Sequence, residues 1–208
     1  HRGIATVSIS YRLAPAHHFP APLDDVRHGL RHVRAHAAEL GIDPARLALL
    51  GLSAGAHLAL LAHLAGGLGA LEPPLPAALR GVSEEVRAVM LHYGPFDLTR
   101  RRSDDGWDPV GDLLGPRAGD VEWARQASPV THAARATAPV LLIHGTADQV
   151  VSHRESVRMH AALEAAGKPA ELLLLEGAPH AFQVAWRSEA NQRANAAMDD
   201  FLARHLLA

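Results

Sequence analysis

The chain of 208 residues is 48% hydrophobic and 20% charged, with a formal net charge of −2, which fits a globular protein with a substantial core. A balance this close to neutral gives no electrostatic footprint for nucleic acid or an anionic membrane surface. The chain has no cysteine, so disulfides, thiolate metal sites and a cysteine nucleophile are excluded, and no apolar run reaches the roughly 18 residues of a membrane span.

In chain order, Gly3 to Ser10 is β-branched and almost continuously apolar, the pattern of a strand covered on both faces of a parallel sheet. The first residues carry no signal-peptide pattern; a cytoplasmic protein is the expectation, with a leader upstream of His1 left open. Tyr11 to Pro22 is a proline-punctuated loop. Leu23, Val26, Leu30, Val33 and Ala37 then recur at three- and four-residue spacing, which predicts a helix over Leu23–Leu40 ended by Gly41. Leu47–Leu50 reads as a short strand, and the Ala/Leu-rich stretch after Ser53 as a helix to about Ala65. Further strands are predicted over Val86–His92, Val140–His144 and Ala170–Leu175, with helices over Ser152–Ala166 and Asn191–Leu207. Residues 66–84 and 94–135 lack periodicity and read as irregular, cap-like excursions within a single domain spanning 1–208. Strands alternating with helices predict an α/β fold with a mainly parallel sheet flanked by helices. In such sheets, reactive groups gather beyond the carboxyl ends of the strands.

Gly51-Leu52-Ser53-Ala54-Gly55 fits G-x-S-x-G between a strand and a helix. There a serine sits on a strained turn with its hydroxyl exposed, and glycines are expected at 51 and 55 because a side chain would collide with the neighbouring strand or helix. A serine hydroxyl is a weak nucleophile and needs a base, and the base an orienting acid. Strand-end placement offers His180, past Ala170–Leu175, as the base. It offers Asp148, past Val140–His144, or Asp97, past Val86–His92, as the acid. Asp148 could also serve only as a cap for the following helix, and His180 is one of fifteen histidines. His57, one helical turn beyond Ser53, is expected to pack or bond locally. His28, His32 and His36 share a helix face at metal-compatible spacing but lack a carboxylate, which favours a solvated face. Arg12 is expected to pair with Asp24 or Asp25 at the surface. Trp107 and Trp123 are candidates to line an acyl pocket or to pack the irregular segment.

Gly-Leu-Ser53-Ala-Gly-Ala-His-Leu-Ala, Ser10-Tyr-Arg-Leu-Ala-Pro, Leu142-Ile-His-Gly-Thr-Ala-Asp148-Gln-Val-Val and Gly177-Ala-Pro-His180-Ala-Phe together resemble α/β-hydrolase serine esterases. The resemblance is to the branch holding BD-FAE-like and hormone-sensitive-lipase-like carboxylesterases. It fits the first better, because Leu52 stands where an acid is usual in the second. It covers essentially the whole chain. It implies Ser53 as nucleophile, Asp148 as acid, His180 as base and the Ala54 backbone N–H as one oxyanion donor. The substrate it implies is a small-molecule carboxylic ester with a small acyl group, with no cofactor and no metal. Amide or formamide hydrolysis, carbohydrate deacetylation, peptide cleavage and a non-catalytic binding role are the alternatives. Only about the last five of the family's eight strands are expected here, and the family's His-Gly-Gly oxyanion loop has no counterpart in the sequence. The domain is therefore expected to be incomplete at its N-terminus, and residues 1–208 alone to be a poor catalyst.

Overall fold

Apolar runs that end in turn residues become strands only where a neighbouring strand satisfies their backbone groups. In the computed structural model, which describes residues 3–100 and 108–207, four runs meet that condition. They are β1 (Ala48–Leu52), β2 (Ala88–His92), β3 (Val140–Gly145) and β4 (Ala170–Leu175), all parallel and in the spatial order β1-β2-β3-β4. Ala48 lies opposite Ala88, Val89 opposite Val140, and Val140 opposite Ala170. The two central strands are buried at every residue, as their continuous apolar sequence requires.

Gly3–Ser10 is not a strand, contrary to expectation. Its residues are largely exposed, with Ile4 at 38% and Val7 at 46%. The apolar pattern is right for a strand, but β1 pairs with β2 alone, and no ladder partner reaches the segment. Only Ile9 finds a close seat, against Gly29.

Six α-helices among the described residues complete the frame: α1 (Ala21–Ala35), α2 (Ala54–Leu64), α3 (Pro109–Leu114), α4 (Val121–Gln126), α5 (Arg154–Ala165) and α6 (Glu189–His205). The first helix stops five residues short of expectation. Past Ala35 the chain turns back on itself, with Ile42 N–H on the Ala37 carbonyl and Gly41 at φ +66°. Arg12 and Asp25 pair at 2.8 Å at the exposed start of α1.

Alternation of side chains along the strands sends Leu49, Val89, Leu91, Val140 and Leu142 to one face, against Ala56, Ala59 and Leu60 of α2 and Met159 and Leu163 of α5. Met90, Leu141 and Ile143 face the other way, against Ala194 and Phe201 of α6. Residues 66–84 hold only two short 3-10 turns, Gly69–Leu71 and Ala77–Leu79. The described part of 94–135 folds as α3, α4 and 3-10 turns. Leu114, Trp123 and Ala127 from it pack with Leu58 and Leu61 of α2 and with Phe19. Trp123 is thus a buried packing residue, with its ring 5.0 Å from that of Phe19. Trp107 lies outside the described residues.

Candidate active site

β1 delivers the chain to a turn that only an unusual backbone can make. Ser53 adopts φ 52°, ψ −121° between β1 and α2, and its N–H is held by the His92 carbonyl at 2.9 Å. A Cβ at Gly51 would lie 2.3 Å from the Gly55 carbonyl oxygen, so the position admits only glycine. Gly55 does not meet the same expectation. A Cβ there finds nothing within 4 Å, because no described element covers that side of the first turn of α2. Ala54 opens α2, so its N–H has no acceptor within the helix and lies at the positive end of the helix dipole.

The loops after β3 and β4 bring their side chains to this serine. His180 Nε2 lies 3.1 Å from Ser53 Oγ, and His180 Nδ1 lies 2.6 Å from Asp148 Oδ2. The Nδ1 proton is therefore donated to the carboxylate, which leaves Nε2 as the acceptor for the serine hydroxyl. The Asp148 side chain is fully buried and that of His180 is 19% exposed. Asp148 also does what a turn aspartate does: Oδ1 accepts the N–H groups of Val150 and Val151, at 2.8 Å each. Oδ1 is fixed by the loop, and Oδ2 faces His180 at the shorter distance.

Asp97 is engaged elsewhere. Its carboxylate accepts the Thr99 hydroxyl and pairs with Arg100, and its N–H goes to Glu155. His57 does not bond locally. Its Nε2 donates to the Ala127 carbonyl, seventy residues on, at 2.7 Å, and complete burial lowers its pKa to about 4. His28 Nε2 bonds the Pro74 carbonyl, while the His32 and His36 rings stack on each other. Among the described residues no group of three or more His, Asp or Glu could hold a metal ion, and no helix is long and apolar enough to cross a membrane.

Two nearby residues were not singled out by sequence. His144, the next-to-last residue of β3, is buried, with Nε2 donating to the Val151 carbonyl at 2.9 Å and lying 3.3 Å from Asp148 Oδ2. Its Nδ1 accepts the Ser156 hydroxyl at 2.7 Å, and burial lowers its pKa, so it stands as a neutral prop for the Asp148 loop. Tyr93, one residue beyond β2, puts its ring centroid 4.5 Å from that of His180, and its hydroxyl donates to Gln183. Burial pushes the phenol up to about 12. Their position at strand ends is the only signal the sequence offered.

A family model described as BD-FAE matches residues 1–163. Esterase LipQ of Mycobacterium tuberculosis is 32% identical over 205 residues, covering 96% of this chain and 48% of the relative. Esterase LipC of the same organism is 33% identical over 190 residues, covering 88% of this chain and 46% of the relative. The chain spans about half the length of these curated relatives. Among solved structures, a truncated carbohydrate esterase from gut microbiota matches with a TM-score of 0.80 at 26% identity, over 94% of this chain and 72% of that one. A thermophilic esterase from Thermogutta terrifontis matches with a TM-score of 0.74 at 28% identity, over 91% and 65%.

Proposed function

This chain belongs to the BD-FAE family of α/β-hydrolases, and on that premise we propose that it carries the catalytic centre of a serine carboxylesterase acting on esters of small acyl groups. The observation that carries the reading is the unbroken hydrogen-bond chain Ser53–His180–Asp148. Ser53 Oγ attacks the ester carbonyl as His180 Nε2 takes its proton. The Ala54 N–H, at the head of α2, faces the negative charge that develops on the carbonyl oxygen. Collapse of the tetrahedral intermediate breaks the bond to the alcohol, which leaves with the proton from His180. Water, deprotonated by the same nitrogen, then releases the acid from Ser53. Asp148 keeps the imidazole in the Nδ1–H tautomer and balances the imidazolium formed at each step.

That LipQ and LipC are esterases supports ester cleavage. A second reading, deacylation of an esterified carbohydrate, draws its support from the carbohydrate esterase among the structural neighbours. In either case the described part of 94–135, which follows β2 and packs on α2, is proposed as the cap-like part that frames the substrate, whereas 66–84 packs beyond the far end of α2, where Arg27 pairs with Glu72 and Glu84.

The test is hydrolysis of p-nitrophenyl acetate and of an acetylated xyloside, with fluorophosphonate labelling, in the parent and in Ser53→Ala. The half-buried turn serine loses only its hydroxyl, so Ser53→Ala should abolish turnover and labelling with an unchanged melting temperature. Residual turnover within tenfold of the parent sinks the assignment.

A further inference from the structure

Three non-glycine residues among those described adopt a left-handed backbone: Ser53 at φ 52°, Tyr93 at φ 42° and Ala181 at φ 55°. Side-chain-bearing residues rarely take this conformation, and where they do the surroundings hold the strain in place. All three lie at the candidate active site. Ser53 is the serine itself and Ala181 follows His180. Tyr93 has no part in the reaction as written above, yet it is bulky, 1% exposed and strained.

The strain at Tyr93 turns its ring onto the histidine. Its N–H is still held by the Ile143 carbonyl, as if β2 ran on for one residue, so the backbone is anchored where it bends. The ring sits 4.5 Å from the His180 ring at an interplanar angle of 60°, and 5.4 Å from Phe182 edge to face. Beyond the ring, the hydroxyl donates to Gln183 Oε1, on the loop that carries His180. Tyr93 therefore touches the imidazole and ties down the chain three residues past it.

Both nitrogens of His180 are engaged in the plane of the ring, with Asp148 and Ser53. Two in-plane bonds do not stop the loop from swinging the ring out of that plane; a contact on its face does. We propose that Tyr93, through its ring and its hydrogen bond to Gln183, is a positioning residue that holds His180 in line between Asp148 and Ser53. This rests on the hydrolase reading given above.

The experiment uses the full chain with Tyr93→Phe, Gln183→Ala and the double variant. Tyr93→Phe keeps the ring and the core packing, and Gln183 is only half-buried, so the folded state is preserved. The readouts are the rate of Ser53 phosphonylation by a fluorophosphonate, and kcat and KM for p-nitrophenyl acetate. Loss of one neutral hydrogen bond that acts only on the base should lower phosphonylation and kcat about fivefold. KM should stay within about twofold, since no substrate contact is touched. Because both single variants remove the same bond, the double variant should be no slower than either. Labelling that persists in Ser53→Ala overturns the hydrolase reading and this inference with it. Labelling that requires Ser53 but is unmoved within twofold by Tyr93→Phe overturns the inference alone, as do independent, multiplicative effects of the two substitutions.

Discussion

Asp148→Asn tests the charge relation at the centre of the site, and the structure dictates which way the amide turns. Oδ1 of Asp148 accepts two backbone N–H groups, from Val150 and Val151, at 2.8 Å. In the asparagine variant that position must keep the amide oxygen, because an NH2 there would face two donors. The NH2 is then forced to the Oδ2 position, 2.6 Å from His180 Nδ1 in the parent. A donor facing Nδ1–H is repulsive, so the imidazole gives up that proton and carries it on Nε2 instead. Nε2–H cannot accept from Ser53 Oγ, and the serine loses its base. The side chain is isosteric and the loop bonds survive, so the fold should hold while kcat/KM falls about 10⁴-fold, roughly 5.5 kcal/mol of transition-state stabilisation. The assay is steady-state hydrolysis of p-nitrophenyl acetate near neutral pH, beside a thermal melt. Activity within tenfold of the parent would falsify the role of Asp148. So would an Asp97→Asn variant that loses activity while Asp148→Asn keeps it.

Two further predictions concern stability. His57 is neutral in the folded state, with its pKa lowered to about 4 by burial, against about 6.5 when the chain is unfolded. The unfolded state therefore binds more protons between those values. The stability present above pH 6.5 drains away as pH falls through about 4, by up to about 3 kcal/mol from this one residue. His57→Gln should flatten urea-unfolding free energies over that window, and an unchanged pH slope would show that His57 titrates normally in the folded protein. Gly51→Ala places a methyl against the Gly55 carbonyl and should cost about 3 kcal/mol or more by overpacking a turn that cannot yield; a urea midpoint equal to the parent's would mean that the turn relaxes freely.

What could be read along the chain is what local chemistry writes there. The strand before Ser53, the glycine at 51 and the Ala/Leu helix after it specify the sharp turn. Continuous apolar runs at Val86–His92 and Val140–His144 specify buried parallel strands, and turn residues past β3 and β4 mark Asp148 and His180 as strand-end groups. The tertiary structure decided what depends on a partner distant in sequence. Gly3–Ser10 has strand chemistry but no ladder to join, since hydrogen bonding between strands is a property of pairs. Asp97 stood as a rival to Asp148 because it too follows a strand end; the meeting of the β3 and β4 loops put Asp148 Oδ2 against His180 and left Asp97 to Arg100. His57 reaches Ala127, and Tyr93 reaches His180 and Gln183, across separations that no periodicity records. Backbone propensity and hydrophobic spacing act within a few residues, whereas the bonds that orient a base are made wherever the packed sheet brings two loop ends together.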